Sequence, residues 1–365
     1  MPWLRLHLAA LLGVAALLPA PAGAGAASLR PALHRVVAAG APGAMALVDG
    51  RATATGLADL RTRRRLRAGD RVRIGSLTKS FTAVVALQLV GEGRLELDDT
   101  VGERLPGILP IADRVTLREL LNHTSGIPDD VMPPILGVLH GNPARVWTHA
   151  DVLGIVRDEP LRFPPGTGWA YSSMNYVLVG LMIEQATGRS LEHELEQRIV
   201  HPLGLRHTSF PVRDTRLGRG AAHGYSLDVG RDGPVAGALR DVTRYSPSFA
   251  WAAGNGVSTL RDVARFYRAL LRRKLLTPRL LHEALTTVPT SNPRRRNGLG
   301  LAVEKTPTGT FVGHDGDILG FSIEALSTPD GRHQAIVATN AKLAPPAVDH
   351  ALDEAMDAAL ETAGG

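Results

Sequence analysis

The sequence predicts an α+β fold in which both ends of the chain build one sheet and a mostly helical region is inserted between them. Strand patterns lie near the two termini, at 44–58 and across 310–340, whereas helical patterns dominate the middle of the chain. No internal repeat and no linker divides the 365 residues. These three observations favour one α+β core over a chain of separate domains.

The N-terminal half begins with a predicted hairpin. Residues 44–58 (AMALVDGRATATGLA) indicate two strands joined by a turn at Asp49-Gly50. A long apolar helix pattern then starts at Ser76 and stops at Gly91, because glycines end helices well. The other helices predicted in this half are 117–121 and 176–188.

The C-terminal half alternates between one helix pattern and several strands. The helix is predicted at 258–274, with Ser258 as its N-cap and basic residues in its last turn. Three strand patterns follow, and a turn at 329–331 joins the last two of them. The predicted strands are 310–313, 318–326 and 334–340, and a final helix is predicted at 346–362.

The first 26 residues read as a secretory signal peptide. Arg5 supplies a short positive region, residues 8–18 are apolar, and Ala22-Gly23-Ala24 and Ala24-Gly25-Ala26 both fit a cleavage site. The apolar run is too short to span a membrane, although an uncleaved anchor is the alternative. We therefore expect a secreted protein without a transmembrane anchor once the signal is removed, and a mature unit of residues 28–365.

Composition excludes several classes of site. The chain has no cysteine, so disulfides, thiolate metal sites and a lipidated cysteine are all excluded. The formal net charge is +6, and much of it lies in the arginine runs 61–67 and 294–296. Aromatic residues are only 4% of the chain and do not interleave with these runs, so they predict solvated loops and no nucleic-acid partner. We expect a monomer.

Ser76 and Lys79 form a Ser-x-x-Lys tetrad at the start of a helix. At positions i and i+3 the two side chains are neighbours, so the lysine can take the hydroxyl proton if burial lowers its pKa. The helix N-terminus adds free N–H groups that suit an oxyanion. Alone the tetrad is weak, because an N-capping serine gives the same pattern.

Two further clusters are each ambiguous on their own. Tyr171 lies at the end of the Pro/Gly-rich loop 162–175, where a nearby lysine would ease loss of the phenol proton, but a core tyrosine fits equally. His314-Asp315-Gly316 lies between two strand patterns, where glycine lets another backbone approach. A substrate could lie there as an added strand along 318–326, although an ordinary turn histidine is the alternative.

Taken in order, Ser-x-x-Lys, Tyr-x-Ser and His-x-Gly resemble the penicillin-recognising serine hydrolases. Within that group the sequence is most similar to secreted D-alanyl-D-alanine carboxypeptidases and class C β-lactamases. The resemblance implies a β-lactamase/transpeptidase-like fold with an antiparallel sheet flanked by helices. It assigns the α/β part to about 28–85 and 290–365 and the helical part to about 86–289. Other stretches that carry it are LLNHTSGIPD (120–129), YSSMNYVLVG (171–180), HPLGLRHTSF (201–210) and WAAGNGVSTLRDVARF (251–266).

The resemblance also implies catalytic roles. Ser76 would be acylated, Lys79 would shuttle its proton, and Tyr171 would act as general base. Backbone N–H groups of Ser76 and Asp317 would form the oxyanion hole. We take the turn at 123–126 as structural.

The same resemblance places four further residues at the substrate cleft. Ser173 stands where asparagine is usual, and His314 replaces a lysine. Gly316 completes the His-x-Gly cluster beside the bound substrate. Trp251 either walls the cleft or is a core residue.

Two departures from the family pattern bear on the substrate. Ser173 offers one hydroxyl where an amide is usual, and Asp315 replaces a hydroxyl residue that helps to hold a substrate carboxylate. Asp315, and Asp317 beside it, would repel such a carboxylate unless they point away or pair with an arginine.

The expected activity is hydrolysis through an acyl-enzyme, first as a D-alanyl-D-alanine carboxypeptidase on peptidoglycan-type peptides. The alternatives are a class C-like β-lactamase and an esterase or D-amino-acid amidase. A non-catalytic penicillin-binding module is a further alternative. We expect the site to bind β-lactams, unless it is an esterase or amidase pocket that Asp315 and Ser173 have closed to them. No zincin, Walker A or dinucleotide motif is complete, so we expect no cofactor and no metal.

Overall fold

The computed structural model describes residues 24–130, 132–230 and 233–364. Within these ranges nine strands form one antiparallel sheet, and two strand pairs lie apart from it. The strands are β1 (Gly43–Val48), β2 (Arg51–Asp59), β3 (Arg64–Arg65), β4 (Val72–Arg73), β5 (Tyr225–Gly230), β6 (Gly233–Asp241), β7 (Val257–Ser258), β8 (Val288–Pro289), β9 (Arg295–Asn297), β10 (Ala302–Thr306), β11 (Gly309–Ile318), β12 (Phe321–Ser327) and β13 (Gln334–Thr339).

The two ends of the chain meet in the middle of the sheet, as the sequence predicted. The strand order is β3-β2-β1-β13-β12-β11-β10-β9-β8, and β1 pairs with β13 so that Ala44 lies opposite Thr339. Every residue of both strands is buried, because the sheet is covered on both faces. The separate pairs are β4 with β7 and β5 with β6.

Helices cover both faces of the sheet. One face packs under the first and last helices, and the other packs on the inserted helical region. The helices are α1 (Ala24–Ala38), α2 (Thr78–Gly91), α3 (Val101–Arg104), α4 (Leu117–Leu121), α5 (Met132–His140), α6 (His149–Gly154), α7 (Ser173–Thr187), α8 (Leu191–Leu195), α9 (His201–Leu203), α10 (Trp251–Gly254), α11 (Leu260–Leu271), α12 (Pro278–Leu285) and α13 (Pro346–Gly364).

The helix α2 lies at the centre of the second layer. Its buried residues lie on every side of the helix, and its apolar residues are not confined to one face. Both features are typical of an interior helix. Phe81 on α2 stacks on Phe266 of α11 with ring centroids 3.7 Å apart. The helix that follows Ser76 is therefore fixed by packing along its whole length.

Three local predictions differ from the structure. His314-Asp315-Gly316 lies inside β11, because the flanking glycines mark close backbone approach and do not end the strand. Thr259, and not Ser258, caps α11 by accepting from the Asp262 N–H. The arginine runs 61–67 and 294–296 are not wholly loops, since Arg64–Arg65 form β3 and the last two residues of 294–296 belong to β9.

The predicted signal peptide, residues 1–26, falls almost entirely outside the described residues, so secretion stays a prediction. In the part of the chain that the structure describes, none of the helices has the length and apolar character needed to cross a membrane.

Candidate active site

Ser76 lies in a single 3₁₀ turn, Gly75–Leu77, that leads into α2. The backbone of β11 presses against this turn. A Cβ on Gly75 would lie 2.6 Å from the Asp317 carbonyl oxygen, and a Cβ on Gly316 would lie 1.9 Å from the Ile74 carbonyl oxygen. Only glycine fits at these two positions, and their contact holds the Ser76 backbone beside that of Asp317.

We expect Gly316→Ala to displace the turn that carries Ser76. An added methyl group must move backbone, which costs about 1–3 kcal/mol of stability, and a shift near 1 Å lowers activity about a hundredfold. Gly69→Ala is the matched control, because a Cβ there meets nothing within 4 Å. Thermal unfolding and the rate of ester hydrolysis would measure both effects, and equal activity of the two variants would contradict the packing argument.

Lys79 is completely buried one turn after Ser76. Its Nζ donates to the Ser76 Oγ at 3.0 Å and to the carbonyl oxygen of Ala253 at 2.9 Å. Burial lowers the pKa of Lys79 to about 8, against the opposing effect of the carboxylates of Asp129 and Asp315. A useful fraction of this lysine is therefore neutral near pH 7 and can accept the proton of Ser76.

Tyr171 lies against the ring of His123, with centroids 4.3 Å apart, and the Lys79 Nζ is 4.9 Å from its ring centroid. Burial raises the pKa of Tyr171 well above 10, with Asp315 acting in the same direction and a hydrogen bond with Ser76 opposing it. The sequence suggested that the lysine would ease loss of the phenol proton. In the structure the effect of burial on the pKa of Tyr171 outweighs that of the lysine, so the phenol remains protonated at neutral pH.

His314 cannot supply a positive charge at neutral pH. It is buried in β11, and burial lowers its pKa to about 4, although Asp315 acts in the opposite direction. Its Nδ1 lies 2.5 Å from the carbonyl oxygen of Asp315. Of the two roles that the sequence allowed, only that of a neutral hydrogen-bonding group is consistent with this burial.

The two acidic side chains of β11 next to the predicted substrate site are each held in an ion pair. Asp315 forms an ion pair with Arg295. Burial would raise the pKa of Asp315, but Arg295 and His314 hold it at about 2. Asp317 lies 2.9 Å from the Nζ of Lys342. The sequence had allowed for such pairing with an arginine, and the structure shows it.

The strand register also corrects where a substrate could add to the sheet. β12 lies between β11 and β13, so the predicted strand at 318–326 has no free edge. On β11, by contrast, β10 pairs only with residues 309–313. Within the described strands, residues 314–318 therefore form the edge next to Ser76.

A cavity of about 170 Å³ opens beside Ser76. Its polar part is contributed by Ser76, Asp129, Tyr171, Ser173 and Asp317. Its apolar wall consists of Ile135, Val152, Met174, Val177, Phe249, Ala250, Ala253, Ile318 and Leu319. A polar end that holds Ser76 and an apolar remainder are typical of a site for one small, partly apolar substrate.

The residues 29–360 match the beta-lactamase family. The chain belongs to the beta-lactamase family. The match covers the sheet, the helical layer and the whole cavity, so the β-lactamase/transpeptidase-like fold predicted from the sequence is confirmed.

Relatives in this family have several activities. Penicillin-binding protein 4* of Bacillus subtilis is 30% identical over 78% of the chain and 64% of that protein, so the chain spans less than two thirds of its length. The D-stereospecific amidohydrolase of Streptomyces sp. is 36% identical, with a TM-score of 0.80 over 90% of this chain and 98% of that chain. The D-amino acid amidase of Ochrobactrum anthropi SV3 is 27% identical, with a TM-score of 0.81 over 93% and 98%. This likeness supports a serine hydrolase.

Trp251 does not line the cavity of this beta-lactamase-family chain. Only 2% of its surface is exposed, its indole N–H donates to Glu192 at 2.7 Å, and its ring stacks on His149 with centroids 3.7 Å apart. Of the two positions that the sequence left open, the structure shows the core position. Ser173, in contrast, does line the cavity, with its Oγ 3.5 Å from the Nζ of Lys79.

Asp129 is the cavity residue that sequence reasoning missed. It ends the loop after α4, and the N–H of Ser173 donates to its Oδ1 at 2.9 Å. Burial raises the pKa of Asp129, while that hydrogen bond and Lys79 oppose the shift. The only signal was an acid after Pro128 in the stretch 120–129, which fits an ordinary turn equally well.

The described residues contain no group of three or more histidine or acidic side chains placed to hold a metal ion.

Proposed function

We propose that the chain is a serine amidohydrolase for small amides and peptides whose acyl group is a D-amino acid with a free α-ammonium. The observation that carries this proposal is Asp129, a carboxylate in the wall of the cavity that holds Ser76. A carboxylate at that position would pair with an ammonium two bonds from the attacked carbonyl carbon.

The charges around the cavity support an ammonium more than a carboxylate. Neither arginine nor lysine is among the described residues that line it, whereas Asp129 is, and the second acid in the wall, Asp317, is paired with Lys342. Arg295, which lies in β9, is already paired with Asp315. A carboxypeptidase needs a cation for the C-terminal carboxylate of its substrate, and this wall offers none.

The rest of the cavity fits the side chain of such a substrate. Its volume, about 170 Å³, and its apolar wall suit one leucine- or phenylalanine-sized group. The preference for the D-configuration is drawn from the two amide hydrolases that resemble the chain in structure. The geometry thus favours the amidase alternative over the carboxypeptidase that the sequence placed first.

In the proposed reaction, neutral Lys79 takes the hydroxyl proton of Ser76 while Oγ attacks the amide carbonyl. The N–H groups of Ser76 and Asp317 stabilise the oxyanion. The proton passes from Lys79 through the hydroxyl of protonated Tyr171 to the leaving nitrogen, and the C–N bond breaks. Water then attacks the Ser76 ester by the same route, which releases the acid and restores the serine.

The pH dependence of acylation should follow Lys79. With a pKa of about 8, the neutral fraction rises from about a tenth at pH 7 to about nine tenths at pH 9. The value of kcat/KM should therefore rise nearly tenfold over this range and then level off. An uncharged ester such as p-nitrophenyl acetate, corrected for spontaneous hydrolysis, isolates the enzyme's own titration. A flat profile from pH 7 to 9 would exclude Lys79 as the base.

The function is tested by a matched set of substrates. D-phenylalanine amide should be hydrolysed with kcat/KM about a hundredfold above that of L-phenylalanine amide and of N-acetyl-D-phenylalanine amide. The N-acetylated amide is the decisive control because acetylation removes the ammonium charge, adds only an acetyl group, and leaves the scissile amide and the side chain unchanged. A preference for the acetylated amide would reject the proposal, and a preference for an N-blocked D-Ala-D-Ala peptide would reject it in favour of a carboxypeptidase.

A further inference from the structure

A second and larger cavity, separate from the one beside Ser76, is lined by arginines. Its volume is about 730 Å³, and it shares none of its lining residues with the active-site cavity. Five arginines and two aspartates line it, a formal excess of 5 − 2 = 3 positive charges. We call this cavity the arginine groove; its arginines are Arg64, Arg67, Arg216, Arg219 and Arg244.

Internal ion pairs use only part of this charge. Arg64 lies 2.8 Å from Asp70, and Arg216 lies 3.3 Å from Asp214. The side chains of Arg67, Arg219 and Arg244 are exposed, and none has a hydrogen bond or ion pair with any described residue. Three cations thus face the groove without a partner within the described structure.

A buried arginine lies behind the wall of the groove. Arg73 is completely buried on β4, and its Nη2 donates to the carbonyl oxygen of Tyr245 at 2.9 Å, next to Arg244 in the chain. Its guanidinium carbon lies 4.1 Å from the ring centroid of Tyr245. Its Nε and Nη1 have no hydrogen-bond partner in the described part of the molecule. A buried charge that forms no ion pair with a described residue adds to the positive potential of the groove.

We propose that the arginine groove binds a soluble, linear polyanion whose charges are phosphate groups. Arginine forks match phosphate oxygens in pairs, and several free forks in one cavity suit a ligand with several phosphates. The site is recessed, and the apolar side chains that line it are only Leu217, which is buried, and Ala221. A groove without a protruding apolar residue suits a thin chain more than a bilayer surface.

The test compares two variants of equal charge. Arg219→Gln/Arg244→Gln removes two unpaired arginines from the groove. Arg272→Gln/Arg279→Gln removes two exposed arginines, one at the end of α11 and one in α12, and is the matched control. Isothermal titration calorimetry with sodium polyphosphate should show binding by the wild type and the control. The groove variant should bind at least about tenfold more weakly, since charge-assisted hydrogen bonds are lost.

Further measurements distinguish a soluble polyphosphate chain from free phosphate and from a lipid surface, and they test whether the variants are folded. Orthophosphate should bind far more weakly than polyphosphate, and all variants should keep wild-type ester hydrolysis, since neither pair of arginines lies in the active site. No binding of polyphosphate, or an equal loss in both variants, would overturn the proposal. Binding to phosphatidylglycerol vesicles without binding to soluble polyphosphate would overturn it as well, in favour of a membrane surface.

Discussion

Replacing Lys79 by methionine should lower the rate of Ser76 acylation about a thousandfold or more without weakening the fold. The Nζ of Lys79 is the basic atom placed 3.0 Å from the Ser76 Oγ, and Tyr171 is held in its protonated form by burial. The carboxylates of Asp129 and Asp317 also line the cavity, but a carboxylate is a far weaker base than a neutral amine. Loss of a general base typically costs about a hundredfold to ten-thousandfold in rate.

The thermal stability of the Lys79→Met variant should not fall with its activity. The pKa of Lys79 is lowered from 10.5 to about 8, so the folded state binds this proton less well than the unfolded state. That disfavours folding by about 3 kcal/mol below pH 8, and the penalty disappears as the pH rises to 10.5. Methionine removes the penalty but leaves the Ala253 carbonyl without its donor, at a cost of about 1–3 kcal/mol. We therefore expect an unchanged or higher Tm at pH 7.

The measurements are intact-mass detection of the acyl-enzyme, kcat/KM for p-nitrophenyl acetate, and thermal unfolding. Ser76→Ala should form no adduct at all, which fixes the background. Lys274→Met is the control, because that lysine is exposed beyond the end of α11. A Lys79→Met variant that keeps more than a tenth of the wild-type rate would show that another group is the base.

The sequence was sufficient for the fold and for the residues of the nucleophile cluster. The β1–β2 hairpin, the helix after Ser76 and the meeting of both chain ends in one sheet follow from local patterns, namely alternation, helical periodicity and glycine stops. Ser76, Lys79 and Tyr171 could be predicted because Ser-x-x-Lys, Tyr-x-Ser and His-x-Gly seldom occur together, in that order, by chance. The structure brings all three side chains together around one cavity.

What the sequence did not reveal depends on burial and on contacts between distant segments. The protonation states of Tyr171 and His314 follow from burial, which a motif does not encode. The pairing of Asp315 with Arg295 joins β11 to a run that looked like a solvated loop. Asp129 lies in a turn whose polar sequence needs no function, and only its packing against Ser173 places it in the cavity wall.

The substitution Asp129→Asn should convert the proposed preference for a free ammonium into indifference. Asparagine keeps the size of the side chain and an oxygen that can accept from the Ser173 N–H, so the loop should remain in place. What is lost is the negative charge. For D-phenylalanine amide we expect kcat/KM to fall about 10- to 100-fold, mainly through KM, because a partly buried charge pair is broken. For N-acetyl-D-phenylalanine amide it should change by less than about threefold.

The same variant carries a second readout that a purely structural role for Asp129 would not produce. The carboxylate of Asp129 raises the pKa of Lys79 against the effect of burial. Removing that charge should therefore lower the pKa of Lys79 below about 8 and shift the rise of ester hydrolysis towards lower pH. Asp130→Asn, one residue along the chain, makes the same change of charge and is the control. If Asp129→Asn slowed the free and acetylated amides equally and left the pH profile in place, Asp129 would support the loop alone, and the ammonium would have to be recognised elsewhere.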